Sequence, residues 1–569
     1  MSEARGLILA VVVSITIMLG WKFVYEKFFV IKNMPDVVSE MESLIPDAED
    51  LIDYKTPADV LKQVPREEML NLKVKASIAL KGALLDSVSL TRYRESVDKQ
   101  SDNVLLLSPE GTEEDSMVEF GWVDPQHEIR VPNRDTLWDV EERQDDRNLA
   151  LRWDNGSGLT FRLKFALDSD YMLSVVQEVI NNTDSSVHLA HYGRVNRAHK
   201  NKKSFWISHE GAIGSFGSGV REWTYKDLEK ESSIKISSAP REDGGCHWIG
   251  FADKYWLTAM APVGEVEGGK IAFRAQYLRR NGVDRFQVDF SRSHGTIVAH
   301  GKATSTTYLF VGAKELSLLD KYKASLGIPL FDKAVDFGVL YFITKPVFLL
   351  LQYFNKILGN FGLAIIMLTL VIKLVVFPLS TKSYVSMFRL KKLQPEVAKI
   401  KELYKSDDLR ISKEIASLFK KHNVSPLSGF LPILVQIPVF FALYKVLFVT
   451  IEMRHAPLFG WIKDLSGQDT ANFVNLFGLI PVQPPFSIGV LPVVLGATMI
   501  LQQKVLQKDQ VSQDHYGVMK FLPYIFVFIF SSFPTGLVLY WICSNIITVV
   551  QQLVIRRFVC RETGKVGKC

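Results

Sequence analysis

The stretch LTLVIKLVVFPLSTKSYVSMFRLKKLQPEVAKIKELY, residues 368–404, decides the fold of this chain. Its first twelve residues are apolar except for Thr369 and Lys373, as in a helix that crosses a membrane. From Ser380 onward, apolar and basic residues recur at three- and four-residue steps, which predicts an amphipathic helix. A lysine inside an apolar span costs several kcal/mol and normally faces a polar cavity or a partner. Lys373 therefore marks a candidate functional site.

Apolar segments on both sides of this stretch predict six transmembrane helices in total. The first is an anchor around LILAVVVSITIMLGW, Leu7–Trp21. A cleaved signal peptide is the alternative, but only Arg5 is basic before the run and no small-residue cleavage site follows it. The other segments are Asn360–Leu379, Phe430–Val449, Phe486–Leu506 and Val518–Ile555. Because about 20 residues span a bilayer once, the last segment must hold two helices, and FPTG at 533–536 predicts the turn between them.

Basic residues in the short loops predict the orientation of these helices. The loop 380–428 contains eleven Lys and Arg residues, whereas the loop 452–485 contains two. Placing the first loop and the basic tail 556–569 in the cytoplasm puts both termini inside. The segment of about residues 30–325 then lies outside, which in a bacterium is the periplasm. The alternative is that the basic residues do nothing beyond setting this topology.

Composition excludes several classes of protein. The chain has 569 residues, of which 47% are hydrophobic and 22% charged, and its mean hydropathy is +0.10. Apolar residues are concentrated at the N-terminus and in the last 240 or so positions, which excludes a simple soluble enzyme. A net charge of +6 is too small for a nucleic-acid-binding protein. Four scattered cysteines specify neither a zinc site nor a disulfide framework.

The external segment predicts a large β-sandwich. Residues 33–65 are acidic and proline-punctuated, as in a linker. From residue 71, NLKVKASIAL, GLTFRLKFAL, FRAQYLRR, DRFQVDFSRS and TTYLFVG alternate apolar and polar residues, as in antiparallel strands with one buried face. The domain contains scattered histidines but no recognisable catalytic motif. We therefore expect no enzymatic activity and no cofactor.

Two amphipathic elements flank the second span. Residues 331–359 are apolar and aromatic but interrupted by charges, which predicts a helix lying in the outer membrane interface. A seventh, distorted span is the alternative, and Lys345-Pro346 at its centre disfavours it. The loop 380–428 carries two apolar faces on either side of Ser406-Asp407-Asp408, which predicts a cytoplasmic helical hairpin.

Polar side chains from several spans accompany Lys373 and predict a hydrated groove open to the cytoplasm. They are Thr369, Gln436, Gln502, Gln503 and Asn545. The neighbouring spans contain no Asp or Glu that could pair with Lys373, and unpaired polar groups from several helices indicate water. The alternative is that Lys373 extends its amine to the inner headgroups.

Four segments in order resemble the YidC family of membrane protein insertases. They are residues 373–404, VSPLSGFLPILVQIPVFFALYKVL (424–447), APLFGWIKDLS (456–466) and FPTGLVLYWICSNIITVVQQ (533–552). The resemblance is detailed from about Phe331 to Ile555 and architectural elsewhere. It implies that the external domain is a β-supersandwich similar to sugar-mutarotase folds, without required catalysis. It also implies a groove in which Lys373 stands where members often carry Arg, and Trp541 where they often carry Tyr.

The predicted fold is a multi-domain membrane protein: six transmembrane α-helices, made of an N-terminal anchor and a five-helix insertase core, with a large periplasmic β-supersandwich. The predicted units are the anchor (1–32), the linker (33–65), the sandwich (66–325), the interfacial helix (329–359), and the core helices 360–379, 429–451, 486–507 and 518–555. The hairpin (380–428), an external loop (452–485), a cytoplasmic loop (508–517) and the tail (556–569) complete them. The predicted client groove is formed by Lys373, Thr369, Gln436, Gln502, Trp541 and Asn545, and the predicted docking surface by Arg389, Lys391, Lys392, Lys399, Arg556 and Arg557.

The function that this resemblance implies is insertion and folding of nascent membrane proteins in the bacterial inner membrane, alone or with the Sec translocon. The expected partners are nascent membrane proteins, the translocon, the ribosome and the lipid bilayer, without any specific nucleic-acid sequence. A small-solute transporter is one alternative, and it predicts inverted repeats that the chain does not show. A membrane-anchored carbohydrate-active protein is the other, and it predicts paired carboxylates in a sugar cleft.

Overall fold

The computed structural model describes residues 56–562 except 113, 199–207, 218, 239–245, 265–270, 281–282, 339, 405–406, 423, 425–430, 472–487 and 508–520. The predicted anchor, most of the linker, the loop 508–517 and the end of the tail lie outside these residues. A short helix, α1 (Pro57–Leu61), capped by Thr56, lies in the described part of the predicted linker.

The described residues 66–313 form two nine-stranded antiparallel sheets. The first sheet has the order β1-β2-β3-β5-β10-β17-β16-β13, with β4 paired to β3, and the second has the order β12-β11-β14-β15-β18-β9-β8-β7-β6. The strands are β1 (Arg66–Leu70), β2 (Val74–Ala79), β3 (Leu84–Arg94), β4 (Asn103–Leu107), β5 (Ser116–Val123), β6 (Asp139–Asp145), β7 (Asn148–Asp154), β8 (Leu159–Leu167), β9 (Met172–Asn181), β10 (Val187–Ala198), β11 (Gly211–Phe216), β12 (Gly219–Thr224), β13 (Ser233–Ser238), β14 (Trp248–Ala252), β15 (Trp256–Val263), β16 (Ile271–Arg280), β17 (Val283–Ile297) and β18 (Lys302–Ala313). Helix α2 (Tyr225–Glu231) joins β12 to β13.

The two sheets pack face to face, which is why their strands alternate apolar and polar residues. Val118 and Phe120 of the first sheet and Phe161 and Leu163 of the second are almost completely buried. The ring of Trp122 meets that of Phe161 edge to face, with centroids 5.1 Å apart. Strands β2, β8, β16, β17 and β18 cover the alternating segments quoted above, so the predicted β-sandwich is confirmed.

Eight helices follow the sandwich in the described residues. They are α3 (Leu316–Ser325), α4 (Tyr341–Leu358), α5 (Phe361–Leu403), α6 (Asp408–Lys421), α7 (Leu431–Val449), α8 (Val490–Gln507), α9 (Leu522–Phe530) and α10 (Thr535–Glu562), with single 3₁₀ turns at Phe331–Ala334 and Ile451–Met453. Helix α4 begins ten residues later than the predicted interfacial segment and contains Pro346. Helix α5 continues for 43 residues across the predicted boundary between span and hairpin, so the second span and the first hairpin helix form one element.

The described helices support a membrane protein without establishing six spans. Two regions, Phe361–Leu390 and Thr535–Arg557, are long and apolar enough to cross a membrane, whereas Gln436–Val449 and Val490–Val505 are shorter apolar stretches. The turn indicated by FPTG lies between α9 and α10, but α9 has only nine described residues. Helix α10 packs against α5 and α8, so the polar residues of these helices converge in one bundle.

Polar contacts join the sandwich to the helical part. Lys445 of α7 forms an ion pair at 2.8 Å with Asp336, just before α4, and Asp336 accepts at 3.1 Å from the backbone N–H of His209, just before β11. Arg454 stacks over the Trp256 ring of β15 at 5.3 Å and donates to the backbone of Glu95. The sandwich is therefore docked on one end of the helical bundle and is not merely tethered to it.

A buried carboxyl, that of Glu452, lies near this junction. Gln352 of α4 donates to Oε1 of Glu452 at 3.2 Å, and Oε2 of Glu452 is buried with no hydrogen-bond partner among the described residues. Burial, assisted by the nearby Glu315 carboxylate and opposed by the hydrogen bond from Gln352, raises the pKa of Glu452 to about 7.

We expect the folded, docked protein to lose stability between about pH 4.5 and pH 7. In this window Glu452 ionises in the unfolded chain while it stays neutral in the folded one. The free energy of unfolding therefore falls by roughly 2–3 kcal/mol between the lower and the upper end of the window. Glu452→Gln should remove this dependence, as measured by thermal unfolding of the purified full-length protein across the range. Glu142→Gln on the exposed strand β6 is the control, and equal pH profiles for Glu452→Gln and wild type would contradict the assignment.

Candidate functional site

The amine of Lys373 lies between three helices of the bundle. Its Nζ donates to Oε1 of Gln436 on α7 at 3.3 Å and to Oγ1 of Thr548 on α10 at 3.0 Å. Among the described residues no carboxylate forms an ion pair with it, and the side chain is half-buried. A lysine amine has three N–H donors, so one remains for water or an arriving ligand.

The amide of Gln436 connects Lys373 to Tyr540. Because an ammonium group only donates, Gln436 must present its oxygen to Lys373 and its NH₂ to another acceptor. That acceptor is the hydroxyl of Tyr540 on α10, a residue that is 1% exposed. Gln551, one turn after Thr548, donates to the backbone carbonyl of Lys373 at 3.2 Å. The polar network therefore fixes both the side chain and the backbone of the lysine.

The other predicted groove residues are distributed around this network. Thr369, one turn before Lys373, is fully buried and donates to its own helix at Ile365. Asn545 is buried and donates to Thr498 of α8 at 3.1 Å, away from the lysine. Gln502 is half-buried on α8. The structure thus brings Lys373 and Gln436 into direct contact and places Asn545 in a second polar contact between α8 and α10.

Trp541 lies in an aromatic cluster beside the polar network. Its ring meets Phe440 of α7 at 5.0 Å, and Phe526 and Phe530 of α9 at 5.7 and 4.7 Å. All three contacts are edge to face, a favourable geometry for aromatic pairs. The cluster forms an apolar wall between α7, α9 and α10, next to a hydrophilic centre.

Tyr540, Thr548 and Gln551 were not identified from the sequence. Tyr540, Ser544, Thr548 and Gln551 recur at steps of four, four and three residues, so they share one face of α10. This polar stripe within an apolar span is the signal that could have identified them.

The predicted hairpin exposes a basic surface. Helix α6 follows the end of α5 after a short turn and is capped by Asp407, whose Oδ1 accepts from the Arg410 amide at 3.0 Å. Leu393 and Val397 are buried, whereas Arg389, Lys392 and Lys399 are exposed. At the end of α10, Arg557 is exposed and Arg556 half-buried. The side chain of Lys391 lies outside the described ones.

Comparison with known sequences assigns each half of the chain to a protein family. A family described as 60Kd inner membrane protein matches residues 353–562, and the YidC periplasmic domain family matches residues 69–350. The membrane protein insertase YidC of Rickettsia canadensis is 39% identical over 571 residues, covering 98% of this chain and all of the relative. That of Rickettsia typhi is 40% identical over 97% of this chain and 99% of the relative.

The chain belongs to the YidC family of membrane protein insertases. Two solved YidC structures are also similar. An active YidC insertase with its first transmembrane domain resolved is 15% identical, covers 87% of this chain and 95% of its own, and has a TM-score of 0.35. YidC from Thermotoga maritima is 14% identical over 85% and 99%, with a TM-score of 0.27. The family assignment rests on the sequence relatives.

Membership in the YidC family settles the class of function. The protein is a membrane protein insertase of the inner membrane, with a periplasmic β-sandwich domain, and is not an enzyme. A galactose mutarotase related protein from Lactobacillus acidophilus aligns with 44% of this chain at 9% identity and a TM-score of 0.30.

Proposed function

We propose that the polar network around Lys373 forms a groove that is open to the cytoplasm and receives the hydrophilic end of a client. The single observation that carries this proposal is the position of the amine: a cation among three helices, whose hydrogen-bond partners among the described residues are both neutral, with one donor left. A buried charge without a counter-charge is costly unless it is hydrated. Water in the groove meets that cost, and so would a carboxylate of an arriving client.

Such a groove lowers the barrier to insertion in two ways. Water reaching part of the bilayer depth shortens the apolar path that a polar client tail has to cross. The charge of Lys373 attracts acidic tail residues, while the aromatic wall around Trp541 provides an apolar surface for the client's hydrophobic segment. Partitioning of that segment into lipid then supplies the free energy, so nucleotide hydrolysis is not required.

The proposed topology has six spans with both termini in the cytoplasm. It is supported by the basic composition of 380–428 and of the tail, and by the docking of the periplasmic sandwich near the other end of α7, where Arg454 contacts it. In this arrangement the hairpin of α5 and α6 and the end of α10 face the ribosome. Cooperation with the Sec translocon is part of the proposal, because the resemblance to the YidC family implies it.

Photo-crosslinking to a stalled nascent membrane protein tests the groove directly. Probes at Thr369, Gln436 and Trp541 should report client contact, most strongly at Gln436 because its amide touches Lys373. A probe at Val375 is the matched control, since this residue lies about 200° around α5 from Lys373 and is 73% exposed. Equal crosslinking from Gln436 and Val375 would contradict a groove at Lys373.

The exposed basic residues of the hairpin should contribute to ribosome association. Replacing Arg389, Lys392 and Lys399 with Gln should weaken the binding of ribosomes at low salt. The difference should shrink as salt rises, because exposed charges are screened beyond about 10 Å at 0.1 M salt. Co-sedimentation with ribosomes measures this. Replacing the exposed Lys99, Lys226 and Lys230 of the sandwich is the control. An equal loss of ribosome binding in that variant would show that binding does not depend specifically on the hairpin surface.

A further inference from the structure

A surface loop, residues 454–471, lies across the ends of the two long apolar helices. The carbonyl oxygen of Leu458 accepts from the Asn360 side chain at 3.0 Å, at the start of α5. The carbonyl oxygen of Leu465 accepts from the Gly536 amide at 2.9 Å, at the start of α10. Both helices contain a region that is long and apolar enough to cross a membrane. Because the ends of such regions meet the lipid headgroups, this loop lies at a membrane surface.

A cavity of about 100 Å³ opens in this loop, where the sandwich meets the bundle. Val97, which lies between β3 and β4, lines one part of it, and Thr535, the first residue of α10, lines another. Trp461 also lines the cavity and is 40% exposed, and tryptophan is enriched at membrane–water interfaces. A water molecule needs roughly 10–15 Å³ of such space, so the cavity admits a group of a few heavy atoms.

One carboxylate in the cavity wall keeps an oxygen free. Oδ1 of Asp464 accepts from the amides of His455 and Ser466 and from the Ser466 hydroxyl, at 3.1, 2.8 and 2.8 Å. Oδ2 of Asp464 accepts from no donor among the described residues. Asp469 also lines the cavity, but both of its oxygens accept from backbone N–H groups. Asp464 is therefore the acceptor that the cavity offers to a ligand.

A lysine stands directly beside that carboxylate. Lys463 lines the same cavity, is exposed, and forms no ion pair within the part of the chain that the structure describes. A divalent cation fits this pair poorly, because it prefers several oxygen ligands and only one carboxylate oxygen is free. A simple anion is repelled by Asp464. A single ligand that carries both charges satisfies Asp464 and Lys463 together.

We propose that this cavity binds the headgroup of a phosphatidylethanolamine. The primary ammonium donates to Oδ2 of Asp464, and the phosphate accepts from Lys463, both as charge-assisted hydrogen bonds. The carbons between these two charges contact the apolar side chains of Val97 and Trp461. The bilayer surface supplies this lipid directly to the cavity, since α5 and α10 end there. A bound headgroup touches both the sandwich and α10 and therefore helps to hold them together.

Native mass spectrometry of the detergent-purified full-length protein tests the proposal, with phosphatidylethanolamine and phosphatidylcholine of identical acyl chains. The choline headgroup carries the same two charges, but its quaternary ammonium has no N–H to donate. Wild type should bind phosphatidylethanolamine about tenfold more tightly, the ratio that one charge-assisted hydrogen bond produces.

Two variants separate the two ends of the headgroup. Asp464→Asn keeps Oδ1 as an acceptor for the loop but replaces the free oxygen with a donor, so the preference for phosphatidylethanolamine should disappear. Lys463→Gln should weaken the binding of both lipids and keep the preference. Asp408→Asn, an equal change of charge at an exposed position of α6, is the control and should behave as wild type.

Several results would overturn the proposal. Equal affinities of wild type for the two lipids would do so, as would a preference that survives Asp464→Asn or disappears in Asp408→Asn as well. Unchanged affinity for both lipids in Lys463→Gln, a variant at an exposed side chain, would also contradict it. Displacement of the lipid by an equal concentration of soluble phosphoethanolamine would show that the cavity takes a free solute instead of a membrane lipid.

Discussion

Lys373→Glu should reduce insertion of clients with acidic tails by roughly 10- to 100-fold, the range that a change of 1.4–2.8 kcal/mol in a barrier produces. The substitution keeps the centre of the groove polar but reverses its charge. Glutamate cannot donate as lysine does, so the bonds to Gln436 and Thr548 are lost unless both side chains reorient to donate instead. Acidic tails then meet repulsion instead of attraction at the point where they leave bulk water.

Two further substitutions separate charge from shape at the same position. Lys373→Arg should retain most activity, because the positive charge and the donors remain, although the planar guanidinium has a different geometry. Lys373→Ala should impair clients with charged tails more than clients with short neutral ones, since desolvating a charge is the expensive step.

The measurement is insertion of one client in two forms, with and without Asp-to-Asn changes in its tail, at matched insertase levels. Lys382→Glu is the control, because Lys382 lies on the same helix and is exposed. If Lys373 merely extends to the inner headgroups, Lys373→Glu and Lys382→Glu should have the same effect on insertion, and the charge of the client tail should make no difference. Equal insertion of acidic and neutral tails by Lys373→Glu would make the groove-charge mechanism wrong while leaving the family assignment intact.

Gly250→Ala should destabilise the periplasmic sandwich by about 3–5 kcal/mol, at the upper end of single-residue effects. Gly250 lies on β14, where a Cβ would come within 2.1 Å of the Thr258 carbonyl oxygen and 2.6 Å of Ala259 Cα on β15. Both are backbone atoms of a paired strand, so neither can move without separating the two strands. Thermal unfolding of the purified protein measures the loss.

Insertion by Gly250→Ala also tests whether the sandwich is needed for insertion. We expect substantial insertion to remain, because Lys373, Gln436 and Thr548 all lie in the helical bundle. Gly156→Ala is the control: its φ of +74° makes it strained, but a Cβ there meets nothing within 4 Å, so the cost should be about 1 kcal/mol. Loss of insertion in Gly250→Ala at a temperature where the bundle stays folded would show that docking of the sandwich is required.

A deletion from Leu72 to Arg274 would be a poorer test of whether insertion requires the sandwich. It removes most of both sheets but keeps β17 and β18, whose Phe286, Val288 and Phe310 are completely buried in the intact domain. Exposure of that apolar surface would cause aggregation for reasons unrelated to insertion. Because strands from distant parts of the chain pair in both sheets, a deletion variant should remove either the entire sandwich or none of it.

The sequence by itself predicted the sandwich and the apolar helices, which the structure contains, and it singled out Lys373 as a candidate site. These features depend on periodicities of two and of about 3.6 residues, and on the rarity of a charge within an apolar run, all of which are local in the chain. The four ordered motifs also indicated the family, which the full-length relatives then established.

Only the tertiary structure decided which side chains surround that lysine. Gln436 and Thr548 are 63 and 175 residues away from it in sequence, and the bond from Gln436 to Tyr540 depends on the relative rotation of α7 and α10. The same holds for Glu452, which accepts a hydrogen bond from Gln352 of α4, a residue 100 positions earlier in the chain. Burial and hydrogen-bond partners depend on packing between distant segments, and packing is not encoded in any single stretch of sequence.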